Sequence, residues 1–387
     1  MVKNITCYYL QEDTALSHSP SILLLAPQLY VPGGIQTYMR RLREILAEHG
    51  ELRGFPVHCL SLMDDDEDRT LHAHHLPRGP FVGCKGNKFL FGLRALNHGL
   101  KYRNSLVIVG HIGQVPVAWL MRQLGLIQSY FLVLYGIEAW GKAAWLDLWG
   151  AQAATCIVAI TKHTALEFCK YNLLDPNRSH VIPPTLAEEK IGLPSGRQGL
   201  GDGLAILTVG RLSVGDRLKG IDTLIKAIDR ARREGAKVHL TVAGDGDDLP
   251  RLKELTLRLE LNDYVEFLGA VSDEKLEKLY QTCDVFAMPS KKEGFGIVFL
   301  EAMRFGKPCI GGNHGGTPEV ITHGIDGYLV DHGDVDQLTK YLVQFSHSPE
   351  LRREMGLRGY EKVKAGYLFQ HMRGRWFALL DSLTPKC

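Results

Sequence analysis

Two short segments hold the residues best suited to chemistry. The first is Lys291–Glu301, KKEGFGIVFLE. An apolar run ends at Pro289, a loop carries Glu293-Gly294-Phe295-Gly296, and a helix is predicted from about Phe295 to Phe305. Gly294 and Gly296 let the backbone approach a ligand closely. Free N–H groups at a helix start around Ile297 suit an anion. Glu301 falls in the second turn, within reach of a hydroxyl on the same ligand. Two carboxylates that bracket such a start, Glu293 and Glu301, suit a sugar at one end and a ribose at the other. The second segment is Val209–Gly220, VGRLSVGDRLKG. Arg211 is expected to end a strand and Lys219 to open the next helix, which puts two unpaired cations on one rim. A forked guanidinium and a point-charge ammonium there suit a diphosphate. Asp216 and Arg217, between them, read as a solvated turn.

Other predicted strand ends carry further candidates. Pro32-Gly33-Gly34 follows the first strand and resembles a phosphate-cradling turn, although it lacks the G-x-G-x-x-G spacing of a dinucleotide site and reads equally as an ordinary βα turn. His111 directly follows LVIVG, and Gly136 and Glu138 follow YFLVLY. Thr161 and Lys162 follow TCIVAI, and Asn313–Glu319 follows the strand near Pro308. Two acidic stretches are set aside. Asp64-Asp65-Asp66-Glu67-Asp68 contains a D-x-D but reads as a solvated loop. Gly244-Asp245-Gly246-Asp247-Asp248 lacks calcium-loop spacing and reads as a turn into a helix. No metal ligand set is assigned.

These residues need a scaffold that brings strand ends together. SILLLAPQ, Val57–Met63, LVIVG, YFLVLY and TCIVAI are strand-length apolar runs separated by helical stretches near Gln114–Leu124, Lys142–Ala153 and Lys162–Tyr171. Continuous apolar strands alternating with helices imply a parallel sheet covered on both faces. A Gly-rich linker is expected at Leu186–Gly203. The pattern then restarts with AILTVG, VHLTVA, Tyr264–Leu268, Val285–Pro289, Pro308–Gly311 and Tyr328–Val330, and ends in a helix over about Gly366–Leu383. The expected fold is α/β, two doubly wound, Rossmann-like parallel sheets. The partition is 1–190, 204–365 and a C-terminal helix at 366–387. Ligands of such sheets bind at the strands' carboxyl ends, so the cleft between the two sheets is the expected site.

Composition narrows the classes. The chain has 387 residues and a net charge of +2, which gives no footprint for nucleic acid. The eight cysteines form no C-x-x-C pair and read as buried free thiols in a reducing cytosol. No signal-peptide pattern opens the sequence, and no apolar stretch approaches the roughly 20 residues of a membrane span. The expected location is cytoplasmic. From Arg69 through Ile137 there is no Asp or Glu, while Lys85, Lys88, Arg94, Lys101 and Arg103 interleave with Phe89, Leu90, Phe91, Leu93 and Leu96. This is either a solvated basic surface over an ordinary core or a face for anionic lipid headgroups or a phosphorylated acceptor, on the inner side of a membrane.

The segments VGRLSVGDRLKGIDTLIKAI, LTVAGDGDDLPRLKEL, VEFLGAVSDEKLEKLY, DVFAMPSKKEGFGIVFLEAM and GGTPEVITHGIDGYLV together resemble the retaining glycosyltransferases of family four, which have the GT-B fold. The N-terminal half is similar more loosely, through PGGIQTYMRRL, His111 and YGIEAW. The resemblance implies that Glu293 and Glu301 touch the donor sugar and the ribose, and that Arg211 and Lys219 hold the diphosphate. It puts Gly33-Gly34 by the phosphate, Gly269–Val271 against the base and His111 near the reacting sugar. Tyr135 stands where the family often has His; Glu138 fits. It implies retention by front-face attack, a nucleotide-diphosphate sugar as donor with GDP-mannose ahead of UDP-hexoses, a saccharide or lipid-linked acceptor, no tightly bound cofactor and no required metal. The rival readings are a nucleotide-sugar epimerase of the same architecture and an inactive sugar-nucleotide-binding protein.

Overall fold

The computed structural model describes residues 21–31, 33–65, 79–186 and 203–383. Pro32, the remainder of the acidic run from Asp66, most of the predicted linker, Cys7 and Cys387 lie outside the described residues. Among the described residues thirteen strands form two sheets, seven-stranded and six-stranded. The first comprises β1 (Ile22–Ala26), β2 (Val57–Ser61), β3 (Phe81–Gly83), β4 (Ser105–Val109), β5 (Ile127–Leu134), β6 (Cys156–Ala159) and β7 (Ser179–Val181), in the order β3-β2-β1-β4-β5-β6-β7. The second comprises β8 (Leu204–Val209), β9 (Val238–Ala243), β10 (Val265–Gly269), β11 (Val285–Met288), β12 (Cys309–Gly312) and β13 (Gly327–Val330), in the order β10-β9-β8-β11-β12-β13. The ladders whose register is resolved are parallel.

The sequence dictates this locally. β1 is apolar at every position and buried at every position, as a central strand covered on both faces must be. In the helix Ile221–Arg233, Ile221, Leu224, Ile225 and Ile228 recur at helical spacing and all are buried. They pack into a core with Ile206, Leu240, Val242 and Val285 of the second sheet. Burial of one such aliphatic side chain contributes about 1.5–3 kcal/mol. The six described cysteines are buried and free. Among the elements that escaped the sequence reading are β3, β7 and the helix Lys88–Lys101. Two of them are strands of only three residues.

The chain forms two compact units. One runs to Val133 and includes Ala143–Ile157; the other consists of Leu134–Lys142 and the chain from Val158 onward. The final helix, Phe369–Leu383, belongs to the second unit and begins after the helix Pro349–Gly366. There Leu186 N–H donates to Tyr367 O at 2.8 Å, and the Thr185 hydroxyl lies 3.7 Å from Met372 Sδ.

Candidate active site

The second unit assembles most of the candidates at the carboxyl ends of β8, β9, β11 and β12. After β8 the chain makes a 3₁₀ turn, Val214–Lys219, and the helix starts only at Ile221. Lys219 therefore closes a tight turn and does not open the helix. Gly220 joins the two at φ 75°, and a β-carbon there would meet Pro289 O at 2.5 Å, so glycine alone fits. Lys291 N–H donates to Leu218 O at 2.7 Å. The cation-bearing loop and the Glu293 loop are thus fastened to each other.

Arg211 is not the unpaired cation expected. Its Nε donates to Asp216 Oδ2 at 2.9 Å, and the side chain is 78% exposed. Nor are Asp216 and Arg217 a solvated turn. Asp216 also accepts from the Ser213 hydroxyl at 2.6 Å. Burial pushes its carboxyl up, but Ser213, Lys219 and Arg211 together outweigh this and hold it below the usual range. Arg217 Nε donates to Asp248 at 2.8 Å, and Arg251 holds the same carboxylate at 2.6 and 2.8 Å. Asp248 is 3% exposed. Asp247 accepts from Val214 N–H at 2.8 Å. The acidic stretch after β9 leads into the helix Leu249–Arg258 as expected, and it also anchors the loop that carries Arg211 and Lys219.

Glu293 is half-buried in its loop. Burial raises its carboxyl above the usual range, while Lys219 and the backbone amides of Phe295 and Gly296 pull it back toward ionisation. Those two amides therefore serve Glu293's own carboxylate; the helix-start N–H groups expected to suit an anion begin after them, at Ile297. The following helix, Ile297–Met303, has only seven residues. Glu301 sits on it and accepts from the hydroxyl of Tyr280 at 2.9 Å. Tyr280 is 1% exposed, and sequence reading missed it. Burial, first, and then Glu301 raise its phenol well above the ordinary value, so it stays a proton donor to that carboxylate. Gly269 ends β10 at φ 67° and accepts from Gly244 N–H at 2.9 Å. Val271 follows, half-buried.

The YGIEAW segment belongs to this unit and meets the Glu293 loop directly. A β-carbon on Gly136 would stand 2.7 Å from Gly294 Cα, and one on Gly294 would run into Tyr135 O. Glu138 Oε1 accepts from Tyr135 N–H at 2.5 Å and Gly136 N–H at 3.1 Å, so its carboxylate shapes this turn. Gly316 N–H donates to Glu293 O at 2.8 Å. Glu319 accepts from the N–H groups of Lys162 and His163 at 2.8 and 2.7 Å and caps the helix Lys162–Asn172. In sequence these residues were only strand-end candidates.

In the first unit, His111 caps a 3₁₀ turn at Ile112–Gln114. Its Nδ1 accepts from Gly113 N–H at 3.1 Å, which leaves the proton of the neutral ring on Nε2. Asp147, absent from the sequence reading, lies close enough that His111 counters the burial that raises its carboxyl. Gly33 and Gly34 are exposed at the start of the helix Gly34–Arg53. Nothing lies within 4 Å of a β-carbon placed on Gly34. The acidic run is not simply solvated: Asp64 is 1% exposed and accepts from Leu29 N–H at 2.6 Å and the Ser61 hydroxyl at 2.7 Å, tying the loop after β1 to β2. Asp65 pairs with Lys85 at 2.6 Å. Among the described residues no cluster of three or more His, Cys, Asp or Glu is arranged to hold a metal ion.

Residues 198–362, which contain this whole loop set except the YGIEAW and Lys162 segments, match the family described as glycosyl transferases group 1. The chain is 36% identical over 147 residues to N-acetyl-alpha-D-glucosaminyl L-malate synthase of Bacillus anthracis, 38% of each chain. It is 35% identical over 173 residues to a GDP-mannose-dependent alpha-(1-6)-phosphatidylinositol monomannoside mannosyltransferase of Mycobacterium tuberculosis, 43% of each chain. These matches span about two fifths of the length of those relatives. The crystal structure of Anabaena HepE in complex with UDP superposes with a TM-score of 0.77 at 20% identity, covering 94% of this chain and 100% of that one. The fold is GT-B. Residues 198–362 are thus similar to the group 1 glycosyltransferases.

Proposed function

We propose that this protein is a retaining glycosyltransferase that moves a hexose from a nucleotide-diphosphate sugar to a saccharide or lipid-linked acceptor in glycan biosynthesis. The observation that carries the reading is the interlocked rim of the second unit. There Lys219 lies within electrostatic reach of Glu293, Arg211 stands exposed beside it, and Tyr280 orients Glu301. In this reading Arg211 and Lys219 take the diphosphate, Glu293 the sugar, Glu301 the ribose, and Gly269 and Val271 the base. Charge grows on the leaving diphosphate as the glycosidic bond breaks, so cations on the rim favour the transition state over the ground state. The acceptor attacks from the same face, and the leaving phosphate takes its proton. His111, with its proton on Nε2, serves the reacting sugar. Gly33 and Gly34 approach the phosphate.

GDP-mannose is the favoured donor, supported by the mannosyltransferase relative, and UDP-hexoses stand close behind, supported by the UDP-bound neighbour. Residues 1–190 are assigned to the acceptor side and 204–365 to the donor side, followed by the C-terminal segment 366–387. No tightly bound cofactor is assigned. The place of action is the cytoplasm or the inner face of a membrane. Thermal shift with GDP, UDP and ADP tests the donor site, because a ligand at about 100 times its Kd stabilises by about 2.7 kcal/mol. One nucleotide should raise the Tm by several degrees. No response to any of the three removes the reading. Turnover with a donor panel separates transfer from epimerisation and from binding alone. NMR of the first-formed product gives the anomer, and an inverted linkage excludes retention.

A further inference from the structure

Three neighbouring helices of the first unit carry apolar side chains on their open faces. In Lys88–Lys101 the inner face is Phe91, Ala95 and Gly99, all buried. The outer face bears Phe89 at 77% exposure, Leu93 at 48% and Leu100 at 50%. These positions fall at helical spacing, so the helix is apolar on both sides. A β-carbon on Gly99 would meet Leu126 and Met121, which shows how tightly this helix lies against the next, Val115–Gln123. That helix in turn touches Trp145–Ala153 through Trp119 and Trp149, whose ring centroids are 6.2 Å apart. Trp145 and Trp149 are 62% and 50% exposed, with ring centroids 5.0 Å apart.

The charges on the first two helices have one sign; on the third, Asp147 lies between Trp145 and Trp149, half-buried, and burial raises its carboxyl above the usual range. No carboxylate occurs between Arg69 and Ile137. Lys88 and Lys101 close the two ends of the first helix, and both are exposed, as are Arg103 and Arg122. Lys85 is set aside because Asp65 offsets it. Scattered single apolar residues on a surface need no explanation, but tryptophans and phenylalanine grouped with cations do. Aromatic rings favour the headgroup boundary of a bilayer, and exposed Lys and Arg favour anionic headgroups.

We propose that the outer faces of these three helices form a docking surface for an anionic lipid bilayer, with Phe89, Leu93, Trp145 and Trp149 entering the headgroup region and Lys88 and Lys101 meeting the lipid charge. This rests on the first unit alone and does not depend on the glycosyl-transfer reading. Among the described residues no helix is long and apolar enough to cross a membrane, so the contact is peripheral.

The test is co-sedimentation of the full chain with vesicles of phosphatidylcholine alone or with about one third phosphatidylglycerol. The expected result is at least tenfold stronger binding to the anionic vesicles, weakened by salt, with a blue shift of tryptophan fluorescence. Trp145→Ala/Trp149→Ala and Phe89→Ser/Leu93→Ser should each lower binding about tenfold. Lys88→Glu/Lys101→Glu should abolish the anionic preference. All these side chains are exposed, and an unchanged Tm in each variant keeps the comparison fair. Equal recovery with both vesicle types, no recovery with either, or binding indifferent to the variants overturns the proposal. So does a concentration-dependent dimer that the apolar variants dissolve, which would assign the face to a second copy of the chain.

Discussion

The loops at the strand ends of the second unit and those at the strand ends of the first differ in how much they touch. Around Glu293 the chain is closed in on itself: Gly136 against Gly294, Gly220 against Pro289, Lys291 on Leu218, Gly316 on Glu293, and Asp247 and Asp248 bracing the cation loop. A β-carbon on Gly34 would meet nothing within 4 Å, one on Gly33 would meet only the flexible Gln36 side chain, and the His111 ring accepts a local hydrogen bond from Gly113 N–H. The difference teaches where preorganisation resides. A diphosphate is small and charged, and its transition state rewards groups fixed in place before it arrives.

The sharpest way to break this contrast is glycine substitution. Gly294→Ala puts a methyl group into Tyr135 O and must separate the two loops; overpacking of this kind costs about 1–3 kcal/mol, and the displaced residues should lose about a hundredfold in kcat/KM. Gly34→Ala has nothing in the protein to meet in a helical position, so it should raise stability by about 0.5–1 kcal/mol, and its loss in kcat/KM, from crowding the phosphate alone, should stay well below that of Gly294→Ala. Comparable losses in both variants would erase the distinction between the two rims.

Lys219→Ala and Arg211→Ala come next. Hydrogen bonds to charged groups contribute about 1.5–3 kcal/mol, so each change should cost at least about tenfold in kcat/KM, and up to about a hundredfold. The Tm should stay nearly constant, because the exposed Arg211–Asp216 pair is worth little in water. Wild-type donor kinetics in both variants would mean that the diphosphate lies elsewhere.

The pH profile sharpens the link between Lys219 and Glu293. Lys219 favours the ionised form of Glu293 against the burial that opposes it. If the charged carboxylate is the active form, activity falls as pH drops through its pKa, and Lys219→Ala should move that acidic limb to higher pH. The stability sign is the reverse of the usual carboxylate case. A Glu whose folded pKa is raised penalises the fold above its unfolded pKa and not below it. Glu293→Gln should therefore raise the Tm at neutral pH, with the gain fading on acidification. An unmoved limb in Lys219→Ala would uncouple the pair.

The smallest effect is expected from Tyr280→Phe, which keeps the ring against Phe286, 5.8 Å away, and removes only the hydroxyl on Glu301. About fivefold in kcat/KM, or about 1 kcal/mol, is expected. The loss should shrink with a donor lacking the ribose hydroxyls. An equal loss with that donor would mean that Tyr280 does not act through Glu301. Activity unaffected by chelation completes the set; strict dependence on a divalent ion would show that Arg211 and Lys219 do not suffice for the diphosphate.

What the sequence determined by itself is the run of apolar strands, the α/β class and the dense motif that ends at Glu301. Each of these is a local pattern whose physical consequence does not depend on distant residues. The tertiary structure decided which polar groups are paired. Asp64 looks like the head of a solvated acidic run, but it is paired with the amide of Leu29, thirty-five residues earlier in the chain. Arg211 looks free until the 3₁₀ turn brings Asp216 back to it. The sequence of Lys88–Lys101 offers apolar residues on two faces, and only its packing beside Met121 and Leu126 decides that Phe91 goes inward and Phe89 outward. A carboxylate, a cation and a phenylalanine have the same local pattern whether buried or exposed; the difference in free energy comes from neighbours that the fold alone supplies.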